Sequence, residues 1–257
     1  MNDFLAQKFG LRGKVALVTG SSQGLGKSMA RALAHAGADV IVNGRDAAKL
    51  APVVHKLEAE GLRAHAIAAD LGRRADVQRL VDRAIAWQGH PDILVNNAGI
   101  IRRHPAAEHS DTDWDDVLNV NLHGVFTACR AAGRHMIARG SGKIINIASL
   151  LTFFGGITVP GYAASKGAVG QLTKALSNEW AGKGVQVNAI APGYMRTDNT
   201  AALQADPHRS KEILHRIPAN RWGEPEDLEG AVVFLASAAS DYLSGHVLAV
   251  DGGWCGR

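Results

Sequence analysis

A tyrosine and a lysine lie four residues apart in the segment Y-A-A-S-K, at Tyr162 and Lys166. On a helix, side chains at this spacing share one face, with Cβ atoms about 6 Å apart. A free tyrosine has a pKa of about 10 and is a poor base at neutral pH, but a neighbouring ammonium group favours the phenolate. The pair therefore predicts an acid–base site, although the same spacing also occurs in ordinary helix packing.

Two further polar residues accompany the pair. Ser149 lies thirteen residues before Tyr162, at the end of a predicted strand, where a hydroxyl is placed to hydrogen-bond a reacting oxygen. Asn121 closes the triplet N-V-N inside a predicted helix. Taken alone, Ser149 is equally a strand-end serine, and Asn121 is equally a polar residue that caps or kinks a helix.

A glycine-rich turn, T-G-S-S-Q-G-L-G (19–26), connects the first predicted strand to the first predicted helix. Glycine lets the backbone approach a pyrophosphate closely, and the helix N-terminus supplies free N–H groups and the positive end of the helix dipole. A glycine-rich turn without a ligand is the alternative. The turn predicts nucleotide binding by Gly20, Ser22, Gln23, Gly24, Leu25 and Gly26.

The end of the second predicted strand reads V-N-G-R-D (42–46). Gly44 stands where a carboxylate would bind the ribose hydroxyls of NAD, and Arg45 follows it. An arginine at this point can pair with a 2′-phosphate, so the sequence favours NADP over NAD. The alternative is a solvated Arg45 beside an N-cap at Asp46.

The ends of the later strands supply the remaining cofactor candidates. Asp70 is placed to hold the adenine edge, and N-N-A-G (96–99) is placed to brace the cofactor. Asn, Asp and Gly are also common in turns, which leaves a purely structural role open. The predicted contacts are Asp70, Leu71, Asn97, Ala98, Gly99, Pro192, Gly193 and Thr197, together with Tyr162 and Lys166.

Short β-branched runs alternate with helical patterns along the whole chain. Strands are predicted over 14–19, 39–43, 64–70, 92–97, 143–149, 185–193 and 247–251. Helices are predicted over 28–37, 46–61, 76–88, 114–136, the segment from Y-A-A-S-K to about 181, and 225–239. Parallel strands need crossover connections, so the pattern predicts an α/β fold: a doubly wound, Rossmann-like sheet of about seven parallel strands with helices on both faces. No composition break divides residues 1–257, which predicts a single domain, with 195–223 as a polar, loop-like segment that closes over the substrate.

Composition narrows the functional classes. The net charge of +4 comes without a dense Lys/Arg run, so nucleic acid is not an expected partner. Two distant cysteines, Cys129 and Cys255, make no disulfide framework, which favours a reducing cytoplasm. The N-terminus lacks a signal-peptide pattern, and no apolar run approaches the ~20 residues of a membrane span. Eleven scattered histidines show no zinc-ligand spacing, so no metal is expected.

Six motifs occur in a fixed order: T-G-x3-G-x-G, N-N-A-G, N-x-N, the serine at 149, Y-x3-K and P-G-x3-T. In this set the chain resembles the short-chain dehydrogenase/reductase family over essentially its whole length. The resemblance implies an NAD(P)-dependent oxidoreductase and a homotetramer. It assigns Tyr162 as the acid/base, Lys166 and Ser149 as its partners, and Asn121 as the fourth member. Lys166 would also donate to the nicotinamide ribose.

A narrower resemblance, to the sugar-acid branch of that family, lies in 96–105, 191–200 and 216–223. It implies a six-carbon sugar acid as substrate. The runs at 179–181, 209–214 and 251–254 resemble enzymes that act on 2-dehydro-3-deoxy-D-gluconate, and R-R-H-P (102–105) equally resembles gluconate dehydrogenases.

A sugar acid needs a cation for its carboxylate, and an arginine fork holds a carboxylate bidentately. Arg102, Arg103 and His104 follow N-N-A-G directly, and solvation or a subunit contact is the alternative for the arginines. The predicted substrate contacts are Arg103, His104, Ser149, Tyr162 and Asn199. A 3-oxoacyl carrier-protein reductase and a non-catalytic nucleotide-binding regulator remain alternative functions.

Overall fold

The computed structural model describes residues 3–257, and its centre is a parallel sheet. The sheet order is β3-β2-β1-β4-β5-β6-β7. This confirms the predicted sheet of seven parallel strands. The strands are β1 (Val15–Val18), β2 (Asp39–Gly44), β3 (Ala64–Ala68), β4 (Ile93–Asn96), β5 (Gly142–Ile147), β6 (Val185–Pro192) and β7 (Val247–Val250).

Helices cover both faces of this sheet. Because side chains alternate along a strand, Leu17 and Val18 of β1 enter opposite hydrophobic layers. This double burial explains why the central strands read as continuous apolar runs rather than alternating ones. The helices are α1 (Asp3–Phe9), α2 (Gly24–His35), α3 (Ala47–Ala59), α4 (Arg74–Gln88), α5 (Asp111–Leu118), α6 (Val125–Arg139), α7 (Pro160–Trp180), α8 (Ala201–Ala205), α9 (Pro207–Arg216) and α10 (Glu229–Ala236).

The strand order reverses between β1 and β4, which are neighbours in the sheet although β2 and β3 separate them in the chain. Connections that leave these two strands diverge to opposite sides, and a crevice opens at their carboxyl ends. The glycine-rich turn follows β1 and N-N-A-G follows β4. The fold therefore brings both motifs to the same crevice.

Three of the predicted elements differ in the structure. The predicted helix over 225–239 is α-helical only over Glu229–Ala236, with 3-10 turns on either side. The predicted helix over 114–136 is two α-helices, α5 and α6, separated by a π-helical turn at Asn119–Gly124. The expected loop over 195–223 contains α8 and α9. Helix α9 has a clear start, since the Asp206 carboxylate accepts from the backbone N–H of His208 and Arg209, but only Ile213 is buried on it. Most side chains of α9 are charged or polar, and a polar composition indicates a loop as readily as a helix.

Candidate active site

A cavity of about 810 Å³ fills the crevice at the carboxyl ends of the strands. Its wall includes most of the predicted site residues, drawn from the ends of six strands and from the start of α7. They are Gly20, Ser22, Gln23, Gly24, Leu25, Gly26, Arg45, Asp70, Leu71, Asn97, Ala98, Gly99, Ser149, Tyr162, Lys166, Pro192, Gly193, Thr197 and Asn199. The other three predicted residues, Asn121, Arg103 and His104, lie outside this wall.

The glycine-rich turn presents the N-terminus of α2 to the cavity. Gln23 is the N-cap residue in extended conformation, and its side chain does not cap the helix. Its amide instead donates to the carboxylate of Asp198, at 2.7 Å. The backbone N–H groups of the first turn of α2 are therefore available to an anion such as a diphosphate.

Asn97 of N-N-A-G braces this turn from the neighbouring strand. Its amide donates to the carbonyls of Thr19 and Gly20, at 3.0 and 2.9 Å. The space between them is so small that a Cβ atom on Gly26 would collide with the Asn97 amide nitrogen and the Gly20 carbonyl oxygen. Only glycine fits at position 26, and the side chain of Asn97 shapes the turn from behind.

Asn43 is a second brace that the sequence analysis did not identify. It is fully buried in β2, its side-chain oxygen accepts from the Gly20 N–H at 3.4 Å, and its amide donates to the Ile67 carbonyl at 3.0 Å. The sequence could have indicated this role, because an asparagine ends the apolar run D-V-I-V-N and a buried amide needs hydrogen-bond partners.

The adenosine side of the cavity carries positive charge. Arg45 and Lys49 are exposed and line the wall, and no carboxylate among residues 3–257 forms an ion pair with Arg45. Asp46 caps α3 by accepting from the Ala48 N–H at 2.8 Å, so the capping role exists alongside a free Arg45. The Asp70 carboxylate accepts from the Gly72 N–H at 2.9 Å.

Tyr162 and Lys166 lie one turn apart near the start of α7. The Lys166 ammonium nitrogen is 5.6 Å from the centre of the Tyr162 ring and donates to the Ile147 carbonyl at 2.5 Å. Lys166 is only 4% exposed, and burial lowers its pKa to about 8. Burial raises the pKa of Tyr162, while a hydrogen bond with Ser149 and the positive charge of Arg103 act in the opposite direction.

Ser149 follows the end of β5 and is linked to α7 through hydrogen bonds of Thr152. It is the N-cap of the short 3-10 turn Leu150–Thr152, and its hydroxyl accepts from the Leu151 N–H at 3.2 Å. The Thr152 hydroxyl accepts from the Ser149 N–H at 3.3 Å and donates to the Lys166 carbonyl at 2.9 Å. These bonds tie Ser149 to the backbone of Lys166, one turn after Tyr162 on the same helix.

Asn121 is completely buried in the π-helical turn between α5 and α6. Its side-chain oxygen accepts from the Ile100 N–H at 2.8 Å, and its amide donates to the Ile100 carbonyl at 2.9 Å and to the Ser165 hydroxyl at 3.2 Å. One side chain therefore holds both the segment after N-N-A-G and the helix that carries Tyr162. Single π-helical turns of this kind are frequent at functional sites.

The three basic residues after N-N-A-G make different contacts. The Arg103 guanidinium donates to the Asn199 carbonyl at 3.2 Å. Arg102 forms ion pairs with Asp113 and with a second acidic residue of α5, and the ring of His104 lies 3.4 Å from the Asp113 carboxylate. Of the three, Arg103 has the charge that acts on Tyr162.

The described part of the chain shows neither a metal-binding cluster nor a membrane-spanning helix. Within residues 3–257, no group of three or more His, Cys, Asp or Glu side chains is arranged to hold a metal ion. None of the helices described there combines the length and the apolar character that crossing a membrane requires.

The sheet order, the crevice above its reversal and the Tyr–Lys turn beside that crevice define a dinucleotide-dependent oxidoreductase. The sequence model of the family "short chain dehydrogenase" matches residues 14–208, and the chain belongs to that family. It is accordingly an NAD(P)-dependent dehydrogenase that acts on CH–OH groups.

Relatives that match over nearly their full length are dehydrogenases of sugar acids. A 2-dehydro-3-deoxy-D-gluconate 5-dehydrogenase of Pseudoalteromonas atlantica is 56% identical, over 98% of this chain and 100% of the relative. One of Escherichia coli K12 is 54% identical, over 97% and 98%. Among solved structures, a gluconate 5-dehydrogenase of Burkholderia cenocepacia in complex with NADP and tartrate is 45% identical with a TM-score of 0.95, covering 98% of this chain and 99% of that one.

Proposed function

We propose that this enzyme transfers hydride reversibly between NADP and a secondary alcohol of a six-carbon sugar acid, and that the sugar acid is 2-dehydro-3-deoxy-D-gluconate. The observation that carries the proposal is the guanidinium of Arg103, which donates to the carbonyl of Asn199 at the cavity wall and whose positive charge acts to lower the pKa of Tyr162. A cation whose charge reaches the proposed acid/base suits a substrate with a carboxylate. The two full-length relatives named for this substrate support the assignment.

The cavity suits a dinucleotide. Three features support this: the uncapped start of α2, the absence of room for a Cβ atom at Gly26, and the exposed cations Arg45 and Lys49 in the cavity wall. The turn would hold the diphosphate, and Arg45 would pair with a 2′-phosphate, which is the basis for preferring NADP. When bound, the nicotinamide accepts or supplies the hydride.

Tyr162 is the proposed proton acceptor for the substrate hydroxyl during oxidation and the proton donor during reduction. Ser149 would hydrogen-bond the same substrate oxygen and stabilise the charge that develops on it. Lys166, whose pKa is lowered to about 8, is close enough to neutrality to exchange protons at physiological pH. Asn121 would keep the tyrosine helix and the 100–104 segment in register through Ser165 and Ile100.

The substrate is proposed to lie between the 100–104 segment and residues 195–223. Asn199 lines the cavity and accepts from Arg103 through its carbonyl. His104 stays a predicted substrate contact, although its ring lies against Asp113. Residues 195–200, at the start of the second segment, form one side of the cavity, in keeping with a segment that closes over the ligand within a single domain.

Gluconate is the second candidate substrate. The sequence R-R-H-P and the gluconate 5-dehydrogenase structure that holds tartrate, a small dicarboxylate, both favour it. We further propose a homotetramer, which the family resemblance implies and which light scattering on the purified enzyme tests. A cytoplasmic location is proposed from the two distant cysteines, Cys129 and Cys255, which make no disulfide framework.

The decisive experiment compares kcat/KM for 2-dehydro-3-deoxy-D-gluconate, D-gluconate and a 3-oxoacyl thioester, each with NADP and NAD in the matching redox state. The proposal predicts the highest value for the deoxy keto acid with NADP. A preference for gluconate would select the second candidate. Turnover of the thioester alone would refute the sugar-acid assignment and leave the dehydrogenase in place.

A further inference from the structure

Arg102 and His104 contact the two oxygens of one carboxylate. The Arg102 Nε atom lies 3.1 Å from Oδ1 of Asp113, and the His104 Nε2 atom lies 3.4 Å from Oδ2. Arg103, between them in sequence, extends instead to the Asn199 carbonyl. Arg102 also borders the cavity, but its guanidinium is held by the carboxylates of α5. With Arg102 and His104 both fixed on α5, Arg103 is the basic residue that reaches Asn199 at the cavity wall.

Asp113 is well placed to hold that arrangement. It lies in the first turn of α5, its backbone N–H donates to the N-cap hydroxyl of Ser110 at 3.1 Å, and its side chain is 23% exposed. A carboxylate in a first turn is stabilised by the helix dipole. Arg102 also contacts Asp116, at 3.2 Å, but the Asp116 side chain is half exposed and contacts only one of the two outer residues.

The segment is also held at its two ends. Asn121 grips the Ile100 backbone, and the His104 N–H donates to the Thr158 carbonyl at 3.0 Å. Between these points, Asp113 is the one side chain among residues 3–257 that forms ion-pair contacts with both neighbours of Arg103. Its removal would leave the ends of the segment in place but free its middle.

We propose that Asp113 is a positioning residue that aims Arg103 at the substrate carboxylate by anchoring Arg102 and His104. The inference rests on the proposed function, since it requires Arg103 to bind an acidic substrate. It adds a residue that touches neither substrate nor cofactor. A salt-bridge role confined to stabilising α5 would not depend on Arg103.

The test is a double-mutant cycle of Asp113→Asn with Arg103→Ala, measured on the preferred sugar acid. Asp113→Asn should raise KM about tenfold and change kcat by less than about twofold, because it weakens ground-state and transition-state binding equally. The KM for NADP should not change. Asp113→Glu should recover part of the loss. Asp115→Asn, the same change two residues along α5 at an exposed position, is the matched control.

The double-mutant cycle distinguishes a positioning role of Asp113 from a role that is independent of Arg103. In the Arg103→Ala background, Asp113→Asn should have almost no further effect, because coupled residues are non-additive. Additive effects, an unchanged KM in Asp113→Asn, or an equal loss in Asp115→Asn would each overturn the inference while the proposed function stands. A wild-type enzyme that turns over no sugar acid would overturn both.

Discussion

The two halves of the cavity are built in different ways. At the cofactor half, backbone carbonyls and buried amides hold the glycine-rich turn, as in the contacts of Asn97 and Asn43 with Gly20. At the substrate half, buried Asn121 holds only the start of the 100–104 segment. Partly exposed side chains hold the rest, as in the ion pair of Arg102 with Asp113. The first kind of contact belongs to the fold, whereas the second can be exchanged without disturbing the sheet. Substrate specificity can therefore change within one architecture, as it does across fold families.

Tyr162 lies where the two halves meet, and its replacement should produce the largest effect. Tyr162→Phe should lower kcat by about 10³-fold, within the range typical of general acid–base groups, because only the hydroxyl is removed. Affinity for NADPH, followed by its fluorescence, should stay nearly unchanged. Tyr242→Phe, at a fully exposed tyrosine, is the control. Substantial residual turnover in Tyr162→Phe would refute the assignment.

The pH dependence of stability should show how strongly burial destabilises the charged form of Lys166, which lies beside Tyr162. Its pKa is about 8 in the folded protein, against an ordinary value of 10.5. Below pH 8 the lysine is charged in the folded protein and in the unfolded chain, so the full cost of burying the charge lowers the free energy of unfolding. Between pH 8 and 10.5 the folded protein has lost the proton and the unfolded chain has not, so this contribution makes stability rise with pH, by about 3 kcal/mol in total.

Urea unfolding of the wild type and Lys166→Met across this pH range measures the contribution. The variant should lack the rise, so its advantage over the wild type should shrink as pH increases. Lys174→Met, at an exposed position on the same helix, should follow the wild type. Parallel curves for Lys166→Met and the wild type would show that the lysine is not desolvated.

Gly26→Ala tests the rigidity of the cofactor half. The added Cβ would collide with the Asn97 amide and the Gly20 carbonyl, and overpacking of this kind costs roughly 1–3 kcal/mol. Affinity for NADPH should fall about 30-fold, because the turn must shift to accommodate the methyl group. Gly230→Ala, where a Cβ has free space, is the control. Unaltered NADPH affinity in Gly26→Ala would argue against close backbone approach at this turn.

Arg45→Ala should have a smaller and more selective effect. Because Arg45 is exposed, removing its proposed contact with the 2′-phosphate should weaken NADPH binding about tenfold and leave NADH binding unchanged. Arg134→Ala, at an exposed position on α6, is the control. An equal loss for both nucleotides would contradict a role in NADP preference.

The difference between the two halves also explains what the sequence allowed us to predict. The strands and the glycine-rich turn have short, local signals, namely apolar runs and glycine spacing, and both were located correctly. The helical content of 195–223 was missed because α9 is strongly polar, with Ile213 and Leu214 as its apolar side chains besides Pro207. Asn121 was selected through the family resemblance, but its π-helical turn was not predicted, since one extra residue scarcely alters an apolar pattern of period 3.6.

Side-chain direction in the substrate half could not be predicted. Arg103 and His104 were assigned together to the substrate, yet the structure directs Arg103 toward Asn199 and His104 onto Asp113. Residues 100–104 have no regular secondary structure, so no periodicity in the sequence specifies which side chain faces the cavity. That information lies in tertiary contacts with α5.

The most direct test of the central claim compares the preferred sugar acid with its uncharged carboxamide in the wild type and in Arg103→Ala. Charge-assisted hydrogen bonds contribute about 1.5–3 kcal/mol, so the wild type should prefer the acid by roughly 10- to 100-fold in kcat/KM. Arg103→Ala should lose most of that preference, with kcat/KM for the carboxamide little changed. A preference that survives in Arg103→Ala, or a wild type that does not distinguish the two compounds, would contradict carboxylate recognition by Arg103.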